Sequence, residues 1–167
     1  MKNIKYLLCA ICAIVLSACS DDDEKYTSYP PLFESMTAVN DVDGGTTLRV
    51  GEQFTITANE RKEGKLLYKT TYAWAAEPGN LTQNDYTAGY NSYAEGRNPS
   101  AKMVISQAGT YTITLTAKYW NAAANVTTTT GTEKLEDGTE VEYREASVVG
   151  AYTVVLTKTI KVLDREQ

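Results

Sequence analysis

The feature that most constrains this chain is a strict alternation of apolar and polar residues over positions 110–120. Every second residue of this run is apolar, namely Tyr111, Ile113, Leu115, Ala117 and Tyr119. Because successive side chains of a β-strand point to opposite faces, this period of two predicts a strand with one buried face. A chain organised around such a strand is expected to be a β protein rather than a helical one.

The same period recurs from residue 32 to near the end of the chain. Longer runs lie at positions 53–58, 66–74 and 152–162, and shorter ones lie at 36–39, 48–50 and 102–105. Glycine, asparagine, aspartate and proline separate these runs, as they do in proteins with many short strands. The pattern predicts an all-β sandwich of about seven strands.

Two of the runs carry more specific expectations. In the run at 66–74 the predicted inward face holds Leu66, Tyr68, Tyr72 and Trp74. In the last run Lys158 interrupts an otherwise apolar face, so we expect an edge, a bulge or a strand switch near it.

Several positions make this sandwich resemble an immunoglobulin-like domain. Residues 107–113 resemble the tyrosine corner that opens strand F, with Tyr111 as its tyrosine and Ile113 where antibody domains place a cysteine. Trp74 stands where the strand C tryptophan would, and Ile56 or Phe54 would fill the strand B position. Residues 109–116 also resemble a strand of PKD-type (polycystic kidney disease repeat) domains, although the stretch after Trp74 departs from the Asp/Gly-rich turn of that family.

This resemblance implies a fold and no activity. It implies an immunoglobulin-like (PKD-like) β-sandwich over residues 35–163, with a long hairpin inserted between strands F and G. Within that insertion, residues 121–150, Asp137 and Gly138 form a hairpin turn signal and six acidic residues surround it. We expect a protruding, solvated acidic ribbon, with a docking arm for a partner protein as the alternative.

The first 18 residues predict a signal peptide. Lys2 and Lys5 precede an apolar run at positions 6–16, which is too short for the roughly 20 residues that a membrane-spanning helix needs. The following Leu16-Ser17-Ala18-Cys19 resembles the bacterial lipobox, which implies cleavage before Cys19 and a diacylglyceryl group on its sulfur. A secretory signal followed by an incidental cysteine is the alternative.

Residues 19–34 are expected to form an acidic tether. Four acids at positions 21–24 resemble the export signal of Bacteroidota-type surface lipoproteins, which implies a lipid-anchored protein on the outer membrane that faces the cell exterior. The alternative is an ordinary solvated linker. About a dozen residues from Cys19 to Pro31 reach roughly 40 Å when extended, enough to hold the domain clear of the membrane.

The counts of charged and reactive residues exclude several classes of function. The chain has 16 basic and 21 acidic side chains, three cysteines and no histidine, so Ser-His-Asp and Cys-His pairs cannot form. Removing residues 1–18 takes away two lysines and two cysteines, which leaves 14 basic against 21 acidic side chains, or −7, and Cys19 as the one cysteine. We therefore expect no disulfide, no metal site, no cofactor beyond the lipid and no nucleic-acid partner.

The connection between residues 74 and 102 is the predicted ligand-binding loop. Its composition of Tyr, Gly, Asn and Ser is typical of adaptable binding loops, and tyrosine rings suit the C–H faces of sugars. The candidate ligand-binding residues are Tyr86, Tyr90, Tyr93 and Arg97. The alternative is that these rings cover one end of the core.

One further motif imitates a metal site. The segment that begins at Asp41 and ends with Glu52 mimics an EF-hand calcium loop, but its sixth position is Thr46 rather than glycine. We expect a turn there.

Three functions remain open from the sequence. We expect a non-enzymatic, surface-tethered binding module for neutral glycans, as an accessory lipoprotein of a nutrient-uptake system. The alternative is a structural or adhesive subunit of a cell-surface protein complex. A glycoside hydrolase is the least favoured, because no acidic residue lies in an apolar run that would raise its pKa.

Overall fold

The computed structural model describes residues 25–79, 81–86, 91–121, 125–126, 130–144 and 150–165, with the backbone alone for residues 81–86 and 125. The predicted leader, Cys19 and the acidic run at 21–24 lie outside the described residues. Tyr90 and the side chain of Tyr86 lie outside them as well.

The described residues form twelve strands. In chain order these are β1 (Thr27–Ser28), β2 (Leu32–Asn40), β3 (Leu48–Arg49), β4 (Gln53–Lys62), β5 (Leu67–Glu77), β6 (Leu81–Tyr86), β7 (Ser100–Ile105), β8 (Gly109–Asn121), β9 (Asn125–Val126), β10 (Gly131–Lys134), β11 (Glu140–Arg144) and β12 (Ala151–Leu163).

Most of these strands belong to two sheets. One sheet has the order β2-β4-β7-β6, and the other has the order β10-β11-β12-β8-β5, with antiparallel neighbours throughout. The short β3 pairs in parallel with the end of β12, and β1 pairs in parallel with β9. Inward side chains of both sheets form one buried apolar cluster. The expectation of an all-β protein with two antiparallel sheets is confirmed.

The alternation in β8 is observed as predicted, whereas the one in β5 is observed for Tyr72 and Trp74 but not for Leu66 and Tyr68. Tyr111, Ile113, Leu115, Ala117 and Tyr119 are all buried. In β5, the register against β8 shifts between Leu67 and Lys69, so Tyr68 is an extra residue that the pairing leaves out. Tyr68 and Leu66 are exposed as a result, which corrects their predicted inward placement.

The strand switch expected near Lys158 is present. The outer edge of β12 pairs with β11 as far as Thr157 and with β3 from Val162 onward, while its pairing with β8 continues unbroken. Lys158 lies at the gap between these two neighbours. Its predicted interruption of the apolar face therefore marks the point where β12 changes partner.

The folded part begins earlier than residue 35, where the sequence analysis placed it. Ser28 and Phe33 are fully buried, and β2 already starts at Leu32. The backbone carbonyl of Ser28 accepts a hydrogen bond from Tyr152 Oη at 2.7 Å, within the core. Seven residues, 20–26, therefore lie between Cys19 and the first strand at Thr27.

The hairpin between β8 and β12 is part of a sheet and does not protrude. Its strands β10 and β11 pair with each other, and β11 also pairs with β12. Leu135, Val141 and Tyr143 are buried. Four of its acidic side chains form ion pairs with basic ones, among them Glu133 with Arg61 at 3.2 Å. The expectation of a protruding ribbon is wrong because one face of the hairpin completes the core. Its acidic surface is solvated as expected, since Glu136 and Glu140 are exposed.

One end of the sandwich is defined by the strands that begin and finish there. Leu32 pairs with Lys62 and Leu67 with Asn121, so β2 and β5 begin at the same end at which β4 and β8 finish. Tyr29 pairs with Lys65 there. We call this the tether end, because the chain that precedes β1 arrives at it.

Two buried tyrosines of β8 are expected to respond in opposite ways to loss of the hydroxyl. Tyr111 Oη donates to the carbonyl oxygen of Gln107 at 2.8 Å, whereas Tyr119 Oη has no hydrogen-bond partner among the described residues. We expect Tyr111→Phe to lower the free energy of unfolding by about 1 kcal/mol. We expect Tyr119→Phe to raise it by up to about 1 kcal/mol, because it removes an unpaired buried polar group. Urea unfolding measures both, and destabilisation by Tyr119→Phe would contradict this assignment.

Candidate functional site

The described half of the β6–β7 connection, residues 91–99, packs against the tether end of both sheets. Thr70 in β5 and Asn91 exchange backbone hydrogen bonds of 2.9 and 3.3 Å, and the Asn91 side chain donates to Tyr72 Oη at 3.2 Å. Gly96 lies so close to Thr70 that an added Cβ would overlap with Thr70 Oγ1. The connection is therefore fixed to β5 by both hydrogen bonds and close packing.

Tyr93 belongs to the core. Its ring meets that of Tyr119 edge to face, with centroids 6.0 Å apart. Its hydroxyl donates to Glu60 Oε2 at 2.9 Å and accepts from the backbone nitrogen of Gly64 at 2.6 Å. The expectation that Tyr93 faces a ligand is therefore corrected: this ring covers the end of the core, because its hydroxyl finds two partners inside the protein.

Arg97 is held by two carboxylates. Its Nη1 lies 2.6 Å from Glu63 Oε1, and its Nε lies 3.5 Å from Glu60 Oε2. The backbone nitrogen of Glu60 in turn donates to Asn98 Oδ1 at 2.9 Å. The positive charge of Arg97 is thus balanced within the protein, so this residue does not present an open anion site.

Glu60 is the residue in this cluster that the sequence analysis missed. Its side chain is 1% exposed, and its Oε1 has no hydrogen-bond partner among the described residues. Burial raises the pKa of Glu60, although hydrogen bonds from Tyr93 and the charge of Arg97 oppose the rise. Burial likewise raises the pKa of Tyr93. Phe54, Ile56 and Ala58 face inward in β4, and Glu60 is the next residue in that alternation. A charged residue at an inward position is the signal in the sequence that could have identified it.

A second feature is a groove at the side of the sandwich, between the outer edges of β2 and β12. Its volume is about 370 Å³. It is lined by Thr37, Ala38, Val39, Thr46, Leu48, Asp137, Lys158, Thr159, Ile160 and Lys161. In this stretch no described strand pairs with the outer edge of β2 or with that of residues 158–161 of β12.

Asp137, at the tip of the β10–β11 hairpin, closes one part of this groove. Its Oδ2 lies 2.6 Å from Lys158 Nζ and accepts the backbone N–H of Met36 at 2.9 Å. Its Oδ1 accepts the N–H of Thr139 at 3.0 Å. The sequence analysis identified Asp137 as a turn residue and Lys158 as an interruption, but not that one binds the other. Together they join the hairpin, β2 and β12.

The segment that resembles a calcium loop forms a hydrogen-bonded turn. Asn40 and Gly44 are linked through their backbones, as are Asn40 and Gly45, each at 2.8 Å. Asp41 accepts hydrogen bonds from Gln53 and Thr55, which hold its pKa below the usual value. Asp43 accepts the N–H of Gly45 at 2.8 Å, and Glu52 accepts Asn40 Nδ2 at 2.6 Å, so the acidic side chains of this segment bind to the turn itself. In the part of the chain that the structure describes, no group of three or more acidic, cysteine or histidine side chains is placed to hold a metal ion.

No described helix combines the length and the apolar character that crossing a bilayer requires.

Comparison with known proteins returns no matching family model, no matching curated protein and no matching solved structure.

Proposed function

We propose that this chain is a non-enzymatic binding module of the immunoglobulin-like, PKD-like type, carried on the bacterial outer membrane by a lipid on Cys19. The strand orders β2-β4-β7-β6 and β12-β8-β5 support the fold type, because immunoglobulin-like domains arrange strands A-B-E-D and G-F-C in this way. The tyrosine corner of Tyr111 at the start of β8 supports it further. The lack of histidine supports a non-catalytic role.

The anchored location is proposed from the leader and supported by the start of the fold. Cys19 lies eight residues before β1, so the chain between them is short and suits a tether rather than a further folded unit. The acidic run at residues 21–24 supports exposure on the outer face of the membrane.

The ligand proposed for this module is a neutral glycan bound at the β6–β7 connection. The observation that carries this proposal is the fixed base formed by Tyr93, Glu60 and Arg97, in which the carboxylates of Glu60 and Glu63 already hold the Arg97 cation. A loop held in place loses less conformational freedom on binding, and a base whose cation is already paired favours an uncharged ligand. Tyr86 and Tyr90 are the two remaining candidate contact residues, and both precede Tyr93 along the chain.

We expect the double variant Tyr86→Ser with Tyr90→Ser to lose at least about tenfold in glycan affinity. Aromatic side chains contribute most of the binding free energy in contacts of this kind, and the variant removes both candidate rings. Affinity gel electrophoresis with neutral polysaccharides measures the change. Val42→Ser, an exposed apolar residue in the turn at the opposite end, is the control and should bind as the unaltered protein does. Unchanged retention of the double variant would remove this proposal.

A structural or adhesive subunit is the second candidate, and the side groove favours it. Edge strands without a partner can accept an added strand from another protein, and two such edges flank the groove. Crosslinking on intact cells should then recover a partner peptide attached near Lys161, which lines the groove and is exposed. Recovery of no partner on repeated trials would count against this role.

A further inference from the structure

The described half of the β6–β7 connection contacts a short segment of the chain, residues 64–70, at both of its ends. At the first end the backbone N–H of Gly64 donates to Tyr93 Oη at 2.6 Å. At the other end Thr70 and Asn91 exchange backbone hydrogen bonds of 2.9 and 3.3 Å. The connection and this segment, which we call the flanking segment, therefore form one continuous and fixed surface.

Between these two contacts the flanking segment exposes Leu66 and Tyr68. Leu66 is 41% exposed and Tyr68 is 54% exposed. Tyr68 is the extra residue that the pairing of β5 with β8 leaves out, and a bulge of this kind turns a side chain away from the face that strand alternation would give it. The surface beside the connection thus presents a ring that carries a hydroxyl, together with an aliphatic side chain.

The backbone at Leu66 holds this arrangement at a cost in stability. Its φ is 54°, in the left-handed region that glycine adopts freely and that a residue with a Cβ adopts rarely. Such conformations persist where the surrounding structure imposes them, and they are frequent at binding sites. An exposed leucine at this position has no advantage for the fold over glycine in backbone conformation, so the leucine side chain itself needs a reason.

The size of this apolar surface limits what can bind to it. A fully accessible tyrosine side chain presents about 200 Å², so the exposed parts of Leu66 and Tyr68 together amount to roughly 200 Å². A stable protein partner needs about 800 Å² on each side. The surface is too small for such a partner, and its extent matches the apolar face of one or two sugar rings.

The charges around the flanking segment favour a neutral ligand. Lys65 and Lys69 lie within the segment, and the exposed Glu63 and Glu95 lie beside it and in the connection. Arg97 is paired with Glu63 at 2.6 Å. Charges of both signs are therefore mixed here, which gives an anionic or cationic ligand no dominant partner. Ammonium groups and carboxylates can instead donate hydrogen bonds to sugar hydroxyls and accept them.

We propose that Leu66 and Tyr68 form a second contact of the glycan site, so that the ligand extends from the β6–β7 connection onto the flanking segment. The inference rests on the glycan binding proposed above for that connection. The Tyr68 ring packs against the C–H face of a sugar residue, and Leu66 widens the apolar contact. The ligand is accordingly a chain of several neutral sugar residues rather than a monosaccharide.

Affinity gel electrophoresis with soluble xylan, mixed-linkage β-glucan and galactomannan tests this contact. We expect Tyr68→Ser to lose about fivefold in affinity for the polysaccharide that retains the unaltered protein, because an aromatic contact is removed. Tyr68→Phe keeps the ring and should stay within about twofold of the unaltered protein. Val42→Ser, in the turn at the opposite end, is the control and should be retained like the unaltered protein.

Leu66→Gly separates a role in binding from a role in folding. We expect it to lose about threefold in affinity, because part of the apolar contact is removed. Its melting temperature should not fall, because glycine adopts the φ of 54° without strain. A role in the fold alone predicts the opposite, a lower melting temperature with unchanged affinity, and that result would overturn the inference.

Failure of this inference and failure of the proposed function give different results. If Tyr68→Ser binds like the unaltered protein while the double variant Tyr86→Ser with Tyr90→Ser loses affinity, the second contact is disproved and the proposed function stands. If none of the three polysaccharides retains the unaltered protein, the proposed function fails and the inference fails with it. Loss of affinity in both variants, with full retention of Val42→Ser, is the result that supports the inference.

Discussion

Asp137→Ala is expected to lower the free energy of unfolding by about 3 kcal/mol, although it changes a residue at a hairpin tip. The Asp137 carboxylate accepts hydrogen bonds from Lys158, Thr139 and the backbone of Met36. Met36 is fully buried and the Lys158 side chain is 18% exposed, so water cannot readily replace the lost acceptor. Urea unfolding of the variant and the unaltered chain at neutral pH measures the difference.

Glu142→Gln is the matched control for this substitution. Glu142 lies on the same hairpin and pairs with Arg144 at 2.9 Å, but both side chains are exposed to solvent. We expect no measurable change in stability, because exposed ion pairs contribute little. Equal effects of the two substitutions would contradict the assignment of Asp137 as the group that joins the hairpin to β2 and β12.

The pH dependence of stability offers a second readout for Asp137. Burial raises the pKa of this carboxyl, but hydrogen bonds from Lys158, Thr139 and Met36 outweigh burial and hold the pKa below its usual 3.8. A lowered pKa in the folded state means that the ionised carboxylate contributes stability above the unfolded pKa. That contribution is lost as the pH falls through the folded pKa. Asp137→Asn should therefore show a smaller loss of stability on acidification below about pH 4 than the unaltered chain shows.

Tyr93→Ala is the second large effect that we expect, about 4 kcal/mol of lost stability. The substitution removes a buried ring that meets Tyr119 and also removes the hydrogen-bond donor to Glu60. Tyr93→Phe keeps the ring and should cost about 2 kcal/mol, because Glu60 then loses a donor and the Gly64 N–H loses its acceptor. Thermal and urea unfolding of both variants measure these costs.

The Glu60→Gln variant removes the charge of residue 60 but keeps an acceptor for the Tyr93 hydroxyl, so it tests the two contributions to stability separately. The raised pKa of Glu60 means that ionisation of this buried carboxyl costs stability once the pH exceeds its unfolded value. Glutamine keeps an acceptor for Tyr93 without that charge, so we expect a change of less than about 1 kcal/mol near pH 7. If Tyr93→Phe left stability unchanged, Tyr93 would return to being a candidate for ligand contact.

The alternation of apolar residues predicted the strands well, since burial of one face is a local property of the sequence. Ile113 and Leu115 in β8 are buried as the pattern indicates. Leu66 and Tyr68 are the exceptions, because the extra residue at Tyr68 shifts the register between β5 and β8. A bulge depends on pairing with another strand, and the residues around Tyr68 carry no glycine or proline that would have marked it.

The candidate site could be predicted in part. The composition of the connection between β6 and β7 indicated tyrosines that either contact a ligand or cover the core, and Tyr93 covers the core. Its partner Glu60 is 33 residues away along the chain, and Asp137 and Lys158 are 21 residues apart. Such pairs form through strand register, which one sequence does not specify. The acidic ribbon was misinterpreted for the same reason, since Val141 and Tyr143 face a core that is built by other strands.

Mass spectrometry of the N-terminal peptide of the native protein tests the central claim most directly. The proposal requires a chain that starts at Cys19 and carries a diacylglyceryl group on its sulfur. A peptide with that added mass is the predicted result. An uncleaved leader, or a free thiol at Cys19, would contradict the anchored location and with it every partner proposed at the cell surface.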